Sequence, residues 1–522
     1  MRHFLRRRPM ACSPNPRARC ARAFAAVLLL SLAIAADRAV HGSESSIRPA
    51  RMPQIATVDA RFQSYNVEMV EVTGGRFWRP YASGESAAQK NPELYSDRSP
   101  TDLANPRLRK LAAALAPAFV RVSGTWANST YFADSDPAPS APPPGFGSVL
   151  TRARWHGVID FARAANAAIV TSFAVSPGVR DQASNWTTAQ AGRLIAFTRS
   201  LDASIAAAEF MNEPSLTPQN GAPKGYDAKA YGRDFRIFRA FLKKTSPATL
   251  IVGPGSTGES SASTNLGMRT SDLLRASGRG IDVFSYHHYA TLSQRCGGRD
   301  RAEDILSEAW LSRTERALFF YRTLRDQFEP KKPLWLTETA DAACGGNPWD
   351  ATFADTFRYL DQLGRLAKAG VQVVMHNTLS ASDYGLLDET TFNPRPDYWA
   401  ALLWHRLMGR IVLDPGVTVQ ADLHVYAHCD PQLRGSVSLL VINTSRDVSF
   451  ALELPIASDR FTLHASDLES KTIELNGRPL ALDENDALPA ISPTPTAAGV
   501  LTFEPVTLSF LTMPKAKNRA CR

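Results

Sequence analysis

At 522 residues, with 44% hydrophobic and 21% charged residues, the chain has the balance of an ordinary globular protein with room for a large core. Its 59 Lys and Arg exceed its 50 Asp and Glu, but eight of those basic residues and a single acid, Asp37, fall within residues 1–42. The remaining 51 basic and 49 acidic residues nearly cancel, which excludes the global basic field that draws a protein to nucleic acid, so attraction to an acidic ligand must come from a local patch.

Residues 1–42 read as a secretory signal. A basic stretch from Arg2 to Arg22 precedes an apolar run from Ala23 to Ala36, followed by small and polar residues. The apolar run is short for a membrane span; a retained N-terminal anchor is the alternative. The mature chain is expected to have no membrane span and no nucleic-acid partner, to be a monomer, and to be secreted or periplasmic. Four cysteines follow the signal: Cys296, Cys344, Cys429 and Cys521. An even number in an oxidising compartment suggests two disulfides, with three connectivities open. No CxxC pair is present, so a zinc site is not indicated.

The stretch 43–61 is expected to add a strand to a C-terminal sheet. From residue 62 to about 409, strand-like runs at 62–72, 118–124, 167–176, 205–212, 249–255, 281–289, 333–339 and 371–379 alternate with helical patterns. Apolar residues recur at helical spacing in 155–165, 189–201, 228–244, 314–327 and 353–369. Eight strands with helical crossovers predict an α/β fold, a (β/α)8 TIM barrel. An open doubly wound sheet is the competing fold, but the GxGxxG loop it favours after the first strand is absent. Within this region the proline-rich stretch 134–147 predicts an extended, solvated loop after the second strand. Beyond Ile411 helical periodicity stops. Alternating runs at 423–429, 436–443, 448–454, 471–477 and 506–513, with an Asn-Gly turn at 476–477, predict an antiparallel β-sandwich over 410–522.

Glu213 in EFMNEPS and Glu338 in LWLTETA each follow a short apolar run, at the fourth and seventh predicted strands. A carboxylate at the end of a buried strand is costly without partners or work to do. Barrel active sites form at the C-terminal ends of strands, and the fourth and seventh face each other across a barrel. Paired carboxylates cleave glycosidic bonds, and a separation of about 5–5.5 Å permits retention of configuration. Asn212 beside Glu213 is placed to bond a sugar 2-hydroxyl. Arg121, within the second strand, is read as an orienting cation; a structural salt bridge is its alternative.

The segments EFMNEPS, DVFSYHHY, PLWLTETADAACGG, VVMHNTLSASDYGLLDE and NPRPDYWAALLWHRLMG resemble family 79 glycoside hydrolases, the heparanase and β-glucuronidase family. The resemblance is specific from Ala206 to Gly409 and weaker to the C-terminal ACR. It implies a retaining enzyme with Glu213 as acid/base and Glu338 as nucleophile, and needing no metal or organic cofactor. It further implies that Cys429 pairs with Cys521, leaving Cys296 and Cys344 for each other. His287 and Tyr289 resemble residues near the nucleophile and a uronate subsite, with a packed core histidine as the alternative for His287. Tyr384 and the backbone of Gly345 and Gly346 resemble the groups that read the uronate carboxylate, and Thr125 resembles a substrate-side threonine.

Two departures from the animal members matter. The segment excised there during maturation is replaced by the short stretch 134–147, so an active single chain is expected. The basic cluster after the fifth strand is absent, since GPGSTGESSASTN has no Lys or Arg. Arg295 is therefore a candidate sulfate ligand, with Arg180, Arg269, Arg299 and Arg301. The expected activity is retaining endo-β-glucuronidase action on heparan sulfate-like polysaccharide, at glucuronic acid–glucosamine bonds. An exo-acting β-glucuronidase and a non-catalytic glycan-binding protein are the alternatives.

Overall fold

A computed structural model describes residues 46–82, 93–217, 219–260, 267–417 and 420–522; the expected export segment 1–42 lies outside them. Eight strands form a closed, all-parallel barrel. They are β1 (Gln63–Glu68), β2 (Ala118–Ser123), β3 (Ala167–Ser172), β4 (Ile205–Glu209), β5 (Leu250–Ser256), β6 (Val283–Leu292), β7 (Leu334–Ala343) and β8 (Val373–His376). Each falls within or overlaps a run read from the sequence. Closure through β8–β1 and β4–β5 rules out the open sheet. Phe119, Val170, Ala207, Val252, Val283, Trp335, Val373 and Met375 plug the barrel interior.

The first run is shorter than its composition suggests. Strand β1 stops at Glu68, and Met69–Thr73 forms a short helix. The Glu68 backbone N–H donates to Glu71 Oε2 at 2.7 Å, and the Glu68 carboxylate accepts from the Glu71 backbone. This reciprocal cap outweighs the strand preference of an apolar run. Three helices of eight or more residues escaped the periodicity reading: Pro106–Ala113, Thr270–Ser277 and Pro396–Leu407. The first two are only eight residues long. The third is buried on nearly every side, so it carries little amphipathic signal.

At the end of the barrel where the strands begin, four of the outer helices reach the next. Arg163, Arg199, Arg236 and Arg322 donate to the carbonyls of Leu201, Thr245, Ala276 and Ala369, at or beyond the ends of the following helices. These carbonyls have no acceptor role within their own helices, and cations there also offset the helix dipole.

The C-terminal region is a nine-stranded antiparallel sheet covered by a two-stranded ribbon, Phe450–Leu454 with Gly499–Phe503. Strand Gln54–Thr57 joins its edge by pairing with Ile411–Leu413. Alternation assigns the faces. Leu439, Val441, Leu511 and Met513 pack under the ribbon, whereas Leu440, Ile442, Leu508 and Phe510 join the main core with the barrel. The predicted strand at 471–477 shrinks to Glu474–Leu475, because the chain turns at Asn476–Gly477. Cys429 is bonded to Cys521, and Cys296 to Cys344.

A buried ionic cluster joins sheet to barrel. On strand Leu423–Cys429, His424 Nδ1 lies 2.6 Å from Asp361 Oδ1, and Tyr426 donates to the same oxygen. Arg365 bonds Asp361 Oδ2 and Glu308, each at 2.6 Å. Burial disfavours the charged His424, but Asp361 overrides it and raises the pKa to about 10. Replacement by Gln is expected to cost about 1.5–3 kcal/mol, the range of a hydrogen bond to a charged group. Because the folded pKa is raised, the contribution is complete below the ordinary value of 6.5 and is lost as pH rises through about 10. Denaturant unfolding of wild type and His424→Gln should therefore diverge at pH 6 and converge above pH 10; an equal gap at both would refute the assignment.

Candidate active site

The barrel interior turns polar one step beyond its apolar plug. Arg121 follows Phe119 by two residues on β2, as Glu209 follows Ala207 on β4, Ser285 follows Val283 on β6 and Thr337 follows Trp335 on β7. Strand alternation places each on the same face as its apolar predecessor. Glu209 Oε2 accepts from Arg121 Nε at 2.9 Å and Nη2 at 2.8 Å, while Thr337 Oγ1 donates to Glu209 Oε1 at 3.0 Å. Arg121 and Glu209 are each 1% exposed, so neither charge would be tolerated alone.

Above this layer sit Glu213 and Glu338. Register slips between Leu336 and Thr339 against β8, and beside His287 between β6 and β7. Consecutive residues Thr337 and Glu338 can therefore both reach the interior, as a bulge allows. Arg121 Nη1 donates to Glu338 Oε2 at 2.9 Å, and Tyr289 Oη donates to Glu338 Oε1 at 2.8 Å. Burial holds the Tyr289 phenol neutral, with Glu338 adding to the effect. Asn377 Nδ2 donates to Tyr289 Oη at 2.9 Å and steadies it.

Glu213 lies just past β4 with φ +44°, a left-handed conformation unusual for a glutamate. Two asparagines hold that backbone. Asn128 accepts from the Asn212 N–H at 2.8 Å and donates to the Asn212 carbonyl at 2.9 Å; Asn220 donates to the Glu213 carbonyl at 2.9 Å. Burial raises the Glu213 pKa to about 7, with Arg121 opposing and Glu209 reinforcing the shift.

His287 bridges the two glutamates, with Nδ1 3.1 Å from Glu213 Oε1 and 3.6 Å from Glu338 Oε2. Burial lowers its pKa to about 4, so the ring is neutral near pH 7. Its Nε2 faces Arg121 Nη2 at 3.4 Å, and a guanidinium can only donate. The proton therefore sits on Nδ1 and points at the carboxyl groups. One oxygen each of Glu213 and Glu338 and the His287 nitrogen lie within 4.8 Å of one another. Such a set has the donors of a metal cage, but Arg121 already supplies the positive charge on Glu338. The arrangement is suited to one carboxyl that gives a proton and another that attacks.

Asn212 Oδ1 accepts from Arg121 at 2.6 Å, and its buried Nδ2 has no protein partner. Thr125 is half-buried and opens the turn after β2. Gly124, just before it, admits nothing larger: a Cβ would lie 1.5 Å from Glu68 Oε2. Gly345 and Gly346 follow β7 with φ +82° and +90°, and a Cβ on Gly346 would come within 3.1 Å of the Tyr384 nitrogen. Tyr384 is buried after β8 with its ring centroid 6.4 Å from that of Tyr289. Thr125, Gly345–Gly346 and Tyr384 follow β2, β7 and β8, at the C-terminal end of the barrel where the glutamate pair also lies.

The arginine expectations fare differently. Arg295 is buried, bonds Asp383 at 3.1 Å and the Gly346 carbonyl at 3.3 Å, and stacks 3.8 Å over the Tyr81 ring. It braces the Gly345–Gly346 turn, with its guanidinium held inside the protein. Arg180 is paired with buried Asp234, and Arg301 with Glu303. Arg269 and Arg299 are exposed.

Sequence reading missed Glu209, Glu68, Asn128 and Asn377. Glu68 ends β1, is bonded by Asn377 at 3.3 Å, and has its pKa pushed well up by burial and by Glu338. A strict period-two reading of β4 would have found Glu209, two residues after inward Ala207. Asn128 and Asn377 lie outside the strands and carry no such signal.

Residues 100–364 match the family model for glycosyl hydrolase family 79, N-terminal domain. The chain is 30% identical over 368 residues to heparanase from Bos taurus, covering 67% of this chain and 66% of that protein. It is 30% identical over 293 residues to baicalin-β-D-glucuronidase from Scutellaria baicalensis, covering 52% of this chain and 51% of the relative. In fold it is similar to a family-51 α-L-arabinofuranosidase from Thermotoga petrophila, at a TM-score of 0.62 and 12% identity, over 90% of this chain and 99% of the other. With a family match over half its length, on a barrel that converges two carboxyl groups, this chain belongs to glycosyl hydrolase family 79.

Proposed function

We propose that the protein is a retaining endo-β-glucuronidase acting on heparan sulfate-type chains, with Glu338 as nucleophile and Glu213 as acid/base. The observation that carries this reading is the approach of the two carboxyl groups to within 4.8 Å. That is too close for the water that an inverting enzyme holds across a gap of about 6.5–9.5 Å. Glu338 Oε attacks the anomeric carbon while the departing glycosidic oxygen takes the Glu213 proton, leaving a glycosyl ester on Glu338. Glu213, now a carboxylate, takes a proton from water as that water attacks the same carbon and releases Glu338. His287 Nδ1–H occupies Glu213 Oε1, so the transferable proton sits on Oε2. The unpartnered Asn212 Nδ2 suits the sugar 2-hydroxyl, where hydrogen bonds strengthen toward the transition state. Gly345, Gly346, Thr125 and Tyr384 form the uronate side of the site, and a single uncleaved chain is the working form. Two disulfides support an exported protein; no helix among the described residues is long and apolar enough to cross a membrane.

Proton NMR of early hydrolysis should show the β-anomer first, and heparan sulfate should shorten from within its chains. An α-anomer first would refute the mechanism. Cleavage of an aryl glucuronide with the polymer left intact would favour the exo-acting reading, which the likeness to a baicalin glucuronidase keeps in play.

The pH profile offers a separate check. The first step needs Glu213 protonated, and burial raises its pKa to about 7. The kcat/KM for an aryl glucuronide should therefore fall on the alkaline side with an apparent pKa near 7, and Glu213→Gln should abolish that limb while lowering kcat by about 10²–10⁴-fold.

A further inference from the structure

A second, basic pocket lies at the opposite end of the barrel, where β7 begins. It has a volume of about 360 Å³, and four cations line it: Arg322, Arg325, Lys331 and Lys332. No carboxylate lines it. Leu334, the first residue of β7, forms part of its wall. Glu338 stands four residues further up that strand, about 13 Å away at the usual rise. The apolar plug around Trp335 separates the two ends. The pocket is therefore distinct from the glutamate site.

Charge neutralisation at helix ends explains part of this cluster. Arg322 donates to the Ala369 carbonyl; Arg325 donates to the Lys332 carbonyl and pairs with Asp326. Both sit in the helix Arg313–Phe328 near its negative end. Lys331 and Lys332 lie beyond that helix, where no such account applies. Among the described residues neither meets a carboxylate. The nearest acid in sequence, Glu329, is turned away and accepts from the Gly280 N–H at 2.7 Å. Two guanidinium groups are thus fixed by backbone carbonyls, and two ammonium groups stand beside them uncompensated. The volume lies in the lower part of the roughly 300–1,000 Å³ range of small-ligand sites.

We propose that this pocket is an exosite for a sulfated or uronate-bearing segment of a glycosaminoglycan chain. The choice of ligand rests on the glycosaminoglycan reading given above. Outside residues 1–42 the chain is nearly charge-balanced, so a concentrated patch is what a polyanion would find. Holding one segment of polymer here raises the local concentration of cleavable bonds at the far end of the barrel.

The test uses Glu338→Gln protein, which holds polymer without cutting it, and a labelled heparin octasaccharide followed by fluorescence anisotropy. Adding Lys331→Ala and Lys332→Ala should weaken binding about 10-fold at low salt and reduce the slope of log affinity against log salt by about one to two. Lys331→Arg with Lys332→Arg should restore both. In the otherwise active enzyme the paired alanine substitutions should leave aryl glucuronide turnover at the wild-type rate. Unchanged affinity and slope would overturn the proposal. So would loss of aryl glucuronide turnover alongside binding, since that would assign the lysines to folding. Failure of the glucuronidase reading looks different: the wild type would turn over no glucuronide, while binding in the Glu338→Gln background would still report on the pocket.

Discussion

Glu338→Gln is expected to lower turnover of aryl β-glucuronides by at least about 10⁴-fold, the order reached when a covalent nucleophile is removed. The amide is nearly the same shape: its oxygen can still accept from Arg121, while its NH2 takes the place of the oxygen facing Tyr289 Oη, a hydroxyl that can turn to accept, so the fold should persist. It cannot form the glycosyl ester. Ligand binding should survive, and no burst of aglycone should appear in rapid-mixing experiments. Azide gives a sharper readout. In Glu338→Gly, azide can enter the vacated space and attack the anomeric carbon directly, giving an α-glycosyl azide. In Glu213→Ala, azide intercepts the ester on Glu338 and gives the β-product. Undiminished turnover by Glu338→Gln, or azide products of the opposite configurations, would remove these assignments.

Arg121→Leu is expected to be the most damaging substitution in the barrel interior. The guanidinium bonds Glu209, Glu338 and Asn212 together, and its removal leaves Glu209 and Glu338 buried without their cation. Stranding a buried partner costs about 3–5 kcal/mol. Equilibrium unfolding should register that loss, and activity should fall with it as Glu338 loses a donor. Arg121 also opposes the rise of the Glu213 pKa. Without it, the alkaline limb of kcat/KM should move to higher pH in whatever activity remains. Arg121→Lys separates the two effects. It keeps the charge, so the limb should stay near pH 7, but it loses the fork that reaches two carboxylates and an amide at once. A variant with wild-type stability and an unmoved limb would show that Arg121 is no part of the site's electrostatics.

The barrel was legible because its signal is local. Each strand is a short apolar run bounded by turn residues, and the helices of 12 to 18 residues that follow β2, β3, β4, β6 and β7 carry a clear apolar stripe. Where the signal failed, a competing local term explains it. The Glu68–Glu71 cap ended β1 early, and Pro396–Leu407 lacks a polar face because the sheet and barrel enclose it. Glu213 and Glu338 stood out because a carboxylate after a buried strand is costly. Glu209 was passed over although it is more deeply buried, since its partner Arg121 lies 88 residues away.

By itself the sequence determined the alternation of strands and helices, the change of texture after Ile411, and the two glutamates that stand out beside apolar runs, since all of these follow from side-chain periodicity and local composition; Glu338 lies within β7 rather than at its end. Only the tertiary structure decided what surrounds those glutamates. Barrel closure brings β8 beside β1 and sets Arg121 of β2 against carboxylates from β4 and β7. It lets Asn128 hold the Glu213 backbone, fixes the proton of His287 on Nδ1, and draws Arg295 into an internal ion pair. It also gathers Lys331 and Lys332 with two arginines of the preceding helix at the far end of β7. Charge and hydrogen bonding act through space over a few ångströms, and the chain's order does not record which distant residues closure will bring within that range.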